Sequence, residues 1–228
     1  SAVYGFAAWL TVYFWLPETR KPMPAMSVWT QLSQTFSLVK SSPQAKTGIA
    51  LFTLPFVGYF AILTSLSVVM HDLYGVTAAE FGLLFALAAV SYFIGALATR
   101  HLSVWLPPSR TLLIGMGILG LTGLLSFSLL FWQAPAWVLW VTASLYMLGM
   151  AICLPITSLE ALGPLAKSAG LGASVLSTFQ IGVGALGSFL SAYYYDGTQT
   201  SLFLVTTVVT LAAVAIYAKR RRTLFQSR

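Results

Sequence analysis

The chain has 228 residues, of which 58% are hydrophobic and only 7% charged, against about 25% charged in ordinary soluble domains. So few polar side chains cannot cover a water-soluble globule of this length, and the bilayer is the solvent that fits the composition. The net charge of +7 does not point to nucleic acid, because the cations sit between apolar runs and in the tail, with no basic stretch interleaved with aromatics.

In chain order, a first apolar run at 1–17 ends on Trp15 and Leu16, just before the charges of Glu18, Arg20 and Lys21. It has no basic leader and no small-residue cleavage site, so it reads as the end of a helix whose start lies upstream rather than as a signal peptide. Residues 18–46 form the long connection, expected on the cytoplasmic side, where Trp29, Leu32, Phe36 and Val39 recur at the spacing of a short surface helix. Six more runs follow at 47–70, 78–100, 110–132, 136–158, 168–194 and 198–218, then a basic tail at 219–228. The uncharged stretch 111–159 is too long for one crossing at about 1.5 Å per residue. It breaks at Gln133 and Pro135, between the interfacial Trp132 and Trp137. Runs that stay apolar residue after residue exclude a membrane barrel, whose strands alternate. The expected fold is an all-α membrane protein with seven transmembrane helices, 47–218 forming a six-helix bundle.

If each run crosses once, alternate connections share a side. One side then receives every Lys and Arg, including Arg20, Lys21, Lys40, Lys46, Arg100, Arg110, Lys167 and the Lys219–Arg222 cluster, while the other receives Asp72, Glu80 and Asp196. A miscounted span would scramble this sorting, and cations stay on the cytoplasmic face.

Three passages carry a family resemblance. "LPET" at 16–19, "YGVTAAEFGLLFALAAVSYFIGALATRHL" at 74–102 and "PLAKSAGLGASVLSTFQIGVGALGS" at 164–188 resemble junctions in the Bcr/CflA drug-resistance transporters of the major facilitator superfamily. The resemblance implies helices six to twelve of a twelve-helix fold, with a missing amino-terminal half of the same chain holding the proton-coupling carboxylate. It also implies a bacterial inner-membrane protein that exports a small amphiphilic or apolar substrate, with protons as the coupling ion, lipid as the surrounding partner, no nucleic acid and no cofactor.

No ionisable residue stands at mid-membrane, where one is by default functional. The family's cavity is lined by helices that here carry Phe56, Tyr59, Tyr92, Tyr146 and Gln180, expected as substrate contacts. Ser177, Gly184 and Ser188 share the Gln180 face by spacing. Aromatics give adaptable apolar walls, while Tyr hydroxyls and an amide orient a ligand. At the cytoplasmic ends, Glu160 is expected to pair with Arg100 or Arg110 as a gating latch. His71 and Asp72 have no partner ligands to make a metal site, and no constellation suggests an enzyme. Alternatives are a sugar, amino-acid or other metabolite exporter on the same fold, and a seven-span receptor. The receptor is disfavoured by the absence of an intramembrane Lys and by the long linker after the first span.

Overall fold

The computed structural model describes residues 5, 6, 9–11, 14, 33, 37, 39–163 and 169–226. Six helices follow one another: α1 (Pro43–Tyr74), α2 (Ala78–Trp105), α3 (Pro108–Ser128), α4 (Ala136–Leu162), α5 (Ala169–Tyr193) and α6 (Thr200–Gln226). Each is long and apolar enough to cross a bilayer, and no strand occurs among the described residues. The protein is an all-α membrane protein. Seven spans were expected, and six are found among the described residues. The expected span at 1–17 and surface helix at 18–46 fall mostly outside the described residues, and the few described before Ser42 are helical.

Helix ends differ from the charge-based expectation because caps, not charges, set them. α1 starts at Pro43 rather than 47, since the Ser42 side chain accepts from the Ala45 amide at 3.2 Å and Pro43 fits the first turn. It stops at Gly75, whose φ of 66° only glycine adopts easily. α2 starts at a reciprocal box, in which Thr77 caps the Glu80 amide and the Glu80 carboxylate accepts from the Thr77 amide at 2.9 Å. α4 runs to Leu162, so Glu160 is helical rather than beyond the span, and α6 continues through Lys219 and Arg220 instead of ending before a tail.

The helices do not pack in chain order. α1 lies along α5, α6 and α4, whereas α4 lies along α2, α3 and α1, and α3 lies along α6. Exchanging α1–α3 with α4–α6 leaves that pattern unchanged. Three connections separate α1 from α4, so they run antiparallel and the two triplets form an inverted repeat. Close approaches repeat the relation. A methyl on Gly187 of α5 would stand 2.0 Å from the Val57 carbonyl of α1, and one on Gly95 of α2 would stand 2.6 Å from the Leu148 carbonyl of α4. Such small residues let helix backbones meet where no hydrophobic drive separates helix from lipid.

The described charges are sorted to the two ends of the bundle. Lys40, Lys46, Arg100, Arg110, Lys219, Arg220 and Arg221 share one end, and Asp72, Glu80 and Asp196 the other.

Candidate functional site

The centre of the bundle is the crossing of α1 and α4. Tyr146 of α4 is completely buried and its hydroxyl donates to the Pro55 carbonyl of α1 at 2.7 Å. Gly58 leaves the room, since a methyl there would lie 2.3 Å from the Tyr146 oxygen. Tyr146 is thus an interior joint between helices, which corrects its expected role as a substrate contact. Phe56 is also interior, with its ring centroid 5.4 Å from that of Phe52 and 6.3 Å from that of Tyr59.

Around that core the surface is two-sided. The large exposed side chains of α3 and α6 within the spans are apolar: Leu113, Ile114, Leu121, Leu124 and Phe127 on one, Leu204, Val208 and Leu211 on the other. Exposed polar side chains at membrane depth lie instead on Thr64 of α1, Tyr92 of α2, and Ser174, Ser177 and Thr178 of α5, joined by the half-buried Tyr59, Gln180 and Ser188. Tyr59, Tyr92 and Gln180 each stand within about one turn of the middle of their helices. α2 and α5 do not touch each other and rise on either side of α1 and α4, so the polar face is a cleft with two walls. α2 and α5 also expose large apolar side chains, among them Leu87, Phe93, Ile181 and Phe189, and the Ser174 and Thr178 hydroxyls donate to carbonyls of their own helix, so what sets this face apart is Tyr59, Tyr92, Gln180 and the Thr64–Ser188 pair.

Hydroxyls also lace the seam between α1 and α5. Thr64 and Ser188 oxygens lie 2.7 Å apart, Ser188 donates to the Phe60 carbonyl at 3.1 Å, and the buried Ser191 donates to Ser65 at 2.6 Å.

At the cationic end, Glu160 pairs with Arg220 of α6, not with Arg100 or Arg110. Two guanidinium N–H groups donate to its two carboxylate oxygens, with Nη2 to Oε1 at 2.9 Å. The pairing differs from the expected one because α6 continues beyond its apolar run and carries Arg220 alongside the end of α4. Tyr217, one turn earlier, donates to the Ser109 carbonyl at the start of α3.

At the acidic end, Tyr195 donates to Asp72 Oδ2 at 2.7 Å. Burial, then the Asp72 and Asp196 carboxylates, push the Tyr195 phenol up to about 12. The side chain and amide of Thr198 hold the Asp196 carboxyl below its ordinary range. Behind this pair sits a residue the sequence reading missed. Gln199 is buried and donates at 2.8 Å to each of the Leu129 and Trp132 carbonyls, closing the turn between α3 and α4. Tyr74 donates to the Ala134 carbonyl in that turn. A lone amide at the head of an apolar run was the available signal. Among the described residues no cluster of His, Cys, Asp and Glu could hold a metal ion.

No family model, curated protein or solved structure matches this chain.

Proposed function

We propose that the chain is the carboxy-terminal half of a major facilitator transporter of the Bcr/CflA drug-resistance type, exporting drugs or drug-like amphiphiles across a bacterial inner membrane in exchange for protons. The observation that carries this reading is the two-sided bundle: a polar cleft walled by α2 and α5, an apolar back on α3 and α6, and an inverted three-plus-three arrangement. In the proposed transporter a second six-helix lobe covers the open faces of α2 and α5, and the cleft between lobes takes the cargo.

Tyr59, Tyr92 and Gln180 meet the cargo, offering aromatic surface and two kinds of hydrogen-bonding group. No covalent step is needed. The cargo is moved because its binding energy differs between the inward-open and outward-open arrangements. Among the described residues no carboxylate stands at mid-span, so proton coupling falls to the other lobe. The same lack of charge favours a weakly charged or apolar cargo over a sugar phosphate or amino acid. The cationic end, with the linker and the end of α6, faces the cytoplasm.

Expression of the complete protein in a pump-deficient bacterium is the test. Tolerance to several amphiphilic antibiotics should rise, a proton uncoupler should abolish the rise, and Tyr59→Ala or Gln180→Ala should reduce it at equal protein level. Unchanged tolerance across a broad panel would overturn the drug-export reading.

A further inference from the structure

Among the described residues four buried hydroxyls have no hydrogen-bond partner in the protein: Thr111, Ser126, Ser144 and Thr207. Two of them share a level in the seam between α3 and α6. Three connections separate these helices, so they run antiparallel. Their register is set by Gly123, where a methyl would lie 2.4 Å from Thr210 Oγ1, and by Gly120, where one would lie 3.5 Å from Val214. Ser126 stands three residues on from Gly123, and Thr207 three residues back from Thr210. Both steps run about 4.5 Å toward the acidic end and turn only about 60° from the contact line. The two hydroxyls therefore stand at one height on facing helices, at 1% and 4% exposure.

The other hydroxyls of this seam satisfy themselves within their own helix. Thr122 donates to the Ile118 carbonyl at 2.8 Å, Thr206 to the Leu202 and Phe203 carbonyls at 3.1 Å, and Thr210 to the Thr206 carbonyl at 2.7 Å. Thr207 is denied that route, because the Phe203 carbonyl one turn back already accepts from Thr206. No hydrogen bond joins Ser126 to Thr207 directly. A buried hydroxyl left unpaired is costly, and one small ligand between the two relieves both.

That ligand has to donate as well as accept, and it has to be small. The tight approach at Gly123 leaves no space for an organic molecule, and two hydroxyl oxygens fall far short of the six or more that a hard cation gathers. Water meets both conditions, and its bonds of about 2.8 Å on either side span a gap that direct contact does not close.

We propose that one water molecule is bound between Ser126 and Thr207 and ties α3 to α6 in the half of the bundle nearer the acidic end. At the cationic end the same two helices are tied by Tyr217, which donates to the Ser109 carbonyl at 3.2 Å. Between the ties the contact is made by Gly120, Gly123, Val214 and Thr210. Polar ties matter here because lipid supplies no hydrophobic drive between helices. The cleft is walled by α2 and α5, so this water is structural and lies off any cargo path, and the assignment does not depend on what the protein transports.

The sign of two stability changes tests the assignment on the purified complete protein. Ser126→Ala and Thr207→Val each remove one hydroxyl with little change of shape. With a bridging water, each should lower the thermal midpoint by about 3 °C, and the double variant should fall no further than either single one. Hydroxyls that hold nothing give the opposite sign, since losing an unpaired polar group raises the midpoint. Solid-state NMR of the bilayer-embedded protein, with magnetisation transferred from water, should also reach the Ser126 and Thr207 side chains, and Ser126→Ala should abolish the Thr207 signal. A midpoint unchanged or raised by either substitution, losses that add in the double variant, or a wild type without the two water signals would overturn the proposal. Coupled losses without those signals would mean a direct bond between the hydroxyls, which overturns it equally.

Discussion

The Tyr146 hydroxyl and the Pro55 carbonyl are joined at 2.7 Å across the crossing of α4 and α1, with Gly58 directly beneath the phenol. Removing the hydroxyl with Tyr146→Phe keeps the ring packing and should cost about 1 kcal/mol, the scale of one interhelical hydrogen bond in a membrane bundle. Gly58→Ala should cost more, about 2 kcal/mol, because the added methyl meets a fully buried ring that has nowhere to go. Thermal unfolding in detergent reads both, and the reverse order of cost would refute this account of the crossing.

Backbone proximity makes a second contrast. Gly187→Ala places a methyl 2.0 Å from the Val57 carbonyl, whereas Gly182, on the same helix, has nothing within 4 Å. The first substitution should destabilise by about 2 kcal/mol or block folding, and the second should leave the midpoint unmoved. Similar behaviour of the two variants would mean that α1 and α5 are not so tightly apposed.

Glu160 and Arg220 should couple to each other and not to the other cations. Both side chains are about one-fifth exposed, at 22% and 20%, so the pair contributes at most about 1 kcal/mol after solvent screening. A double-mutant cycle of Glu160→Gln with Arg220→Gln should show positive coupling, and cycles with Arg100→Gln or Arg110→Gln should be near zero. Coupling confined to Arg110 would restore the latch expected from sequence.

Gln199→Leu removes two donors from buried carbonyls at Leu129 and Trp132. The expected loss is about 2 kcal/mol, and proteolysis of the turn between α3 and α4 should quicken. A variant as protease-resistant as the wild type would dismiss the closing role.

The acidic end predicts two pH dependences. The Tyr195 phenol is raised in the fold to about 12, so its contribution to stability is complete below the ordinary tyrosine value of about 10 and is lost as pH rises through about 12. Phenolate absorbance should lose one late-titrating step in Tyr195→Phe, and Asp72→Asn should move that step toward lower pH. The Asp196 carboxyl is lowered, so its contribution is present above the ordinary carboxylate range and disappears as pH falls through the lowered value. A wild-type titration with no late step contradicts the Tyr195–Asp72 pairing.

Charge sorting was legible in the sequence because hydrocarbon forbids an unpaired charge, so each Lys, Arg, Asp and Glu marks an end. Helix ends were less legible. The last charge, Lys46, puts a start at 47, while Ser42 and Pro43 carry the cap, and the charge at Lys219 puts an end at 218 although basic residues are good helix formers outside the lipid. Which side faces inward was hardest to read. Helices apolar all round have no stripe to mark the buried face, so Tyr146, on a fully packed face, looked the same as Tyr92, on an open one. The Thr64–Ser188 pair brings together residues on two separate helices, and only the packing of α1 against α5 shows that they meet.

The division of charge between the two ends has a consequence for biogenesis. Turning the bundle over after insertion would drag Lys46, Arg100, Arg110 and the basic end of α6 through the lipid interior, at several kcal/mol for each residue. Once threaded, the protein keeps its direction for life. The barrier summed over those residues holds whichever orientation the bundle first takes.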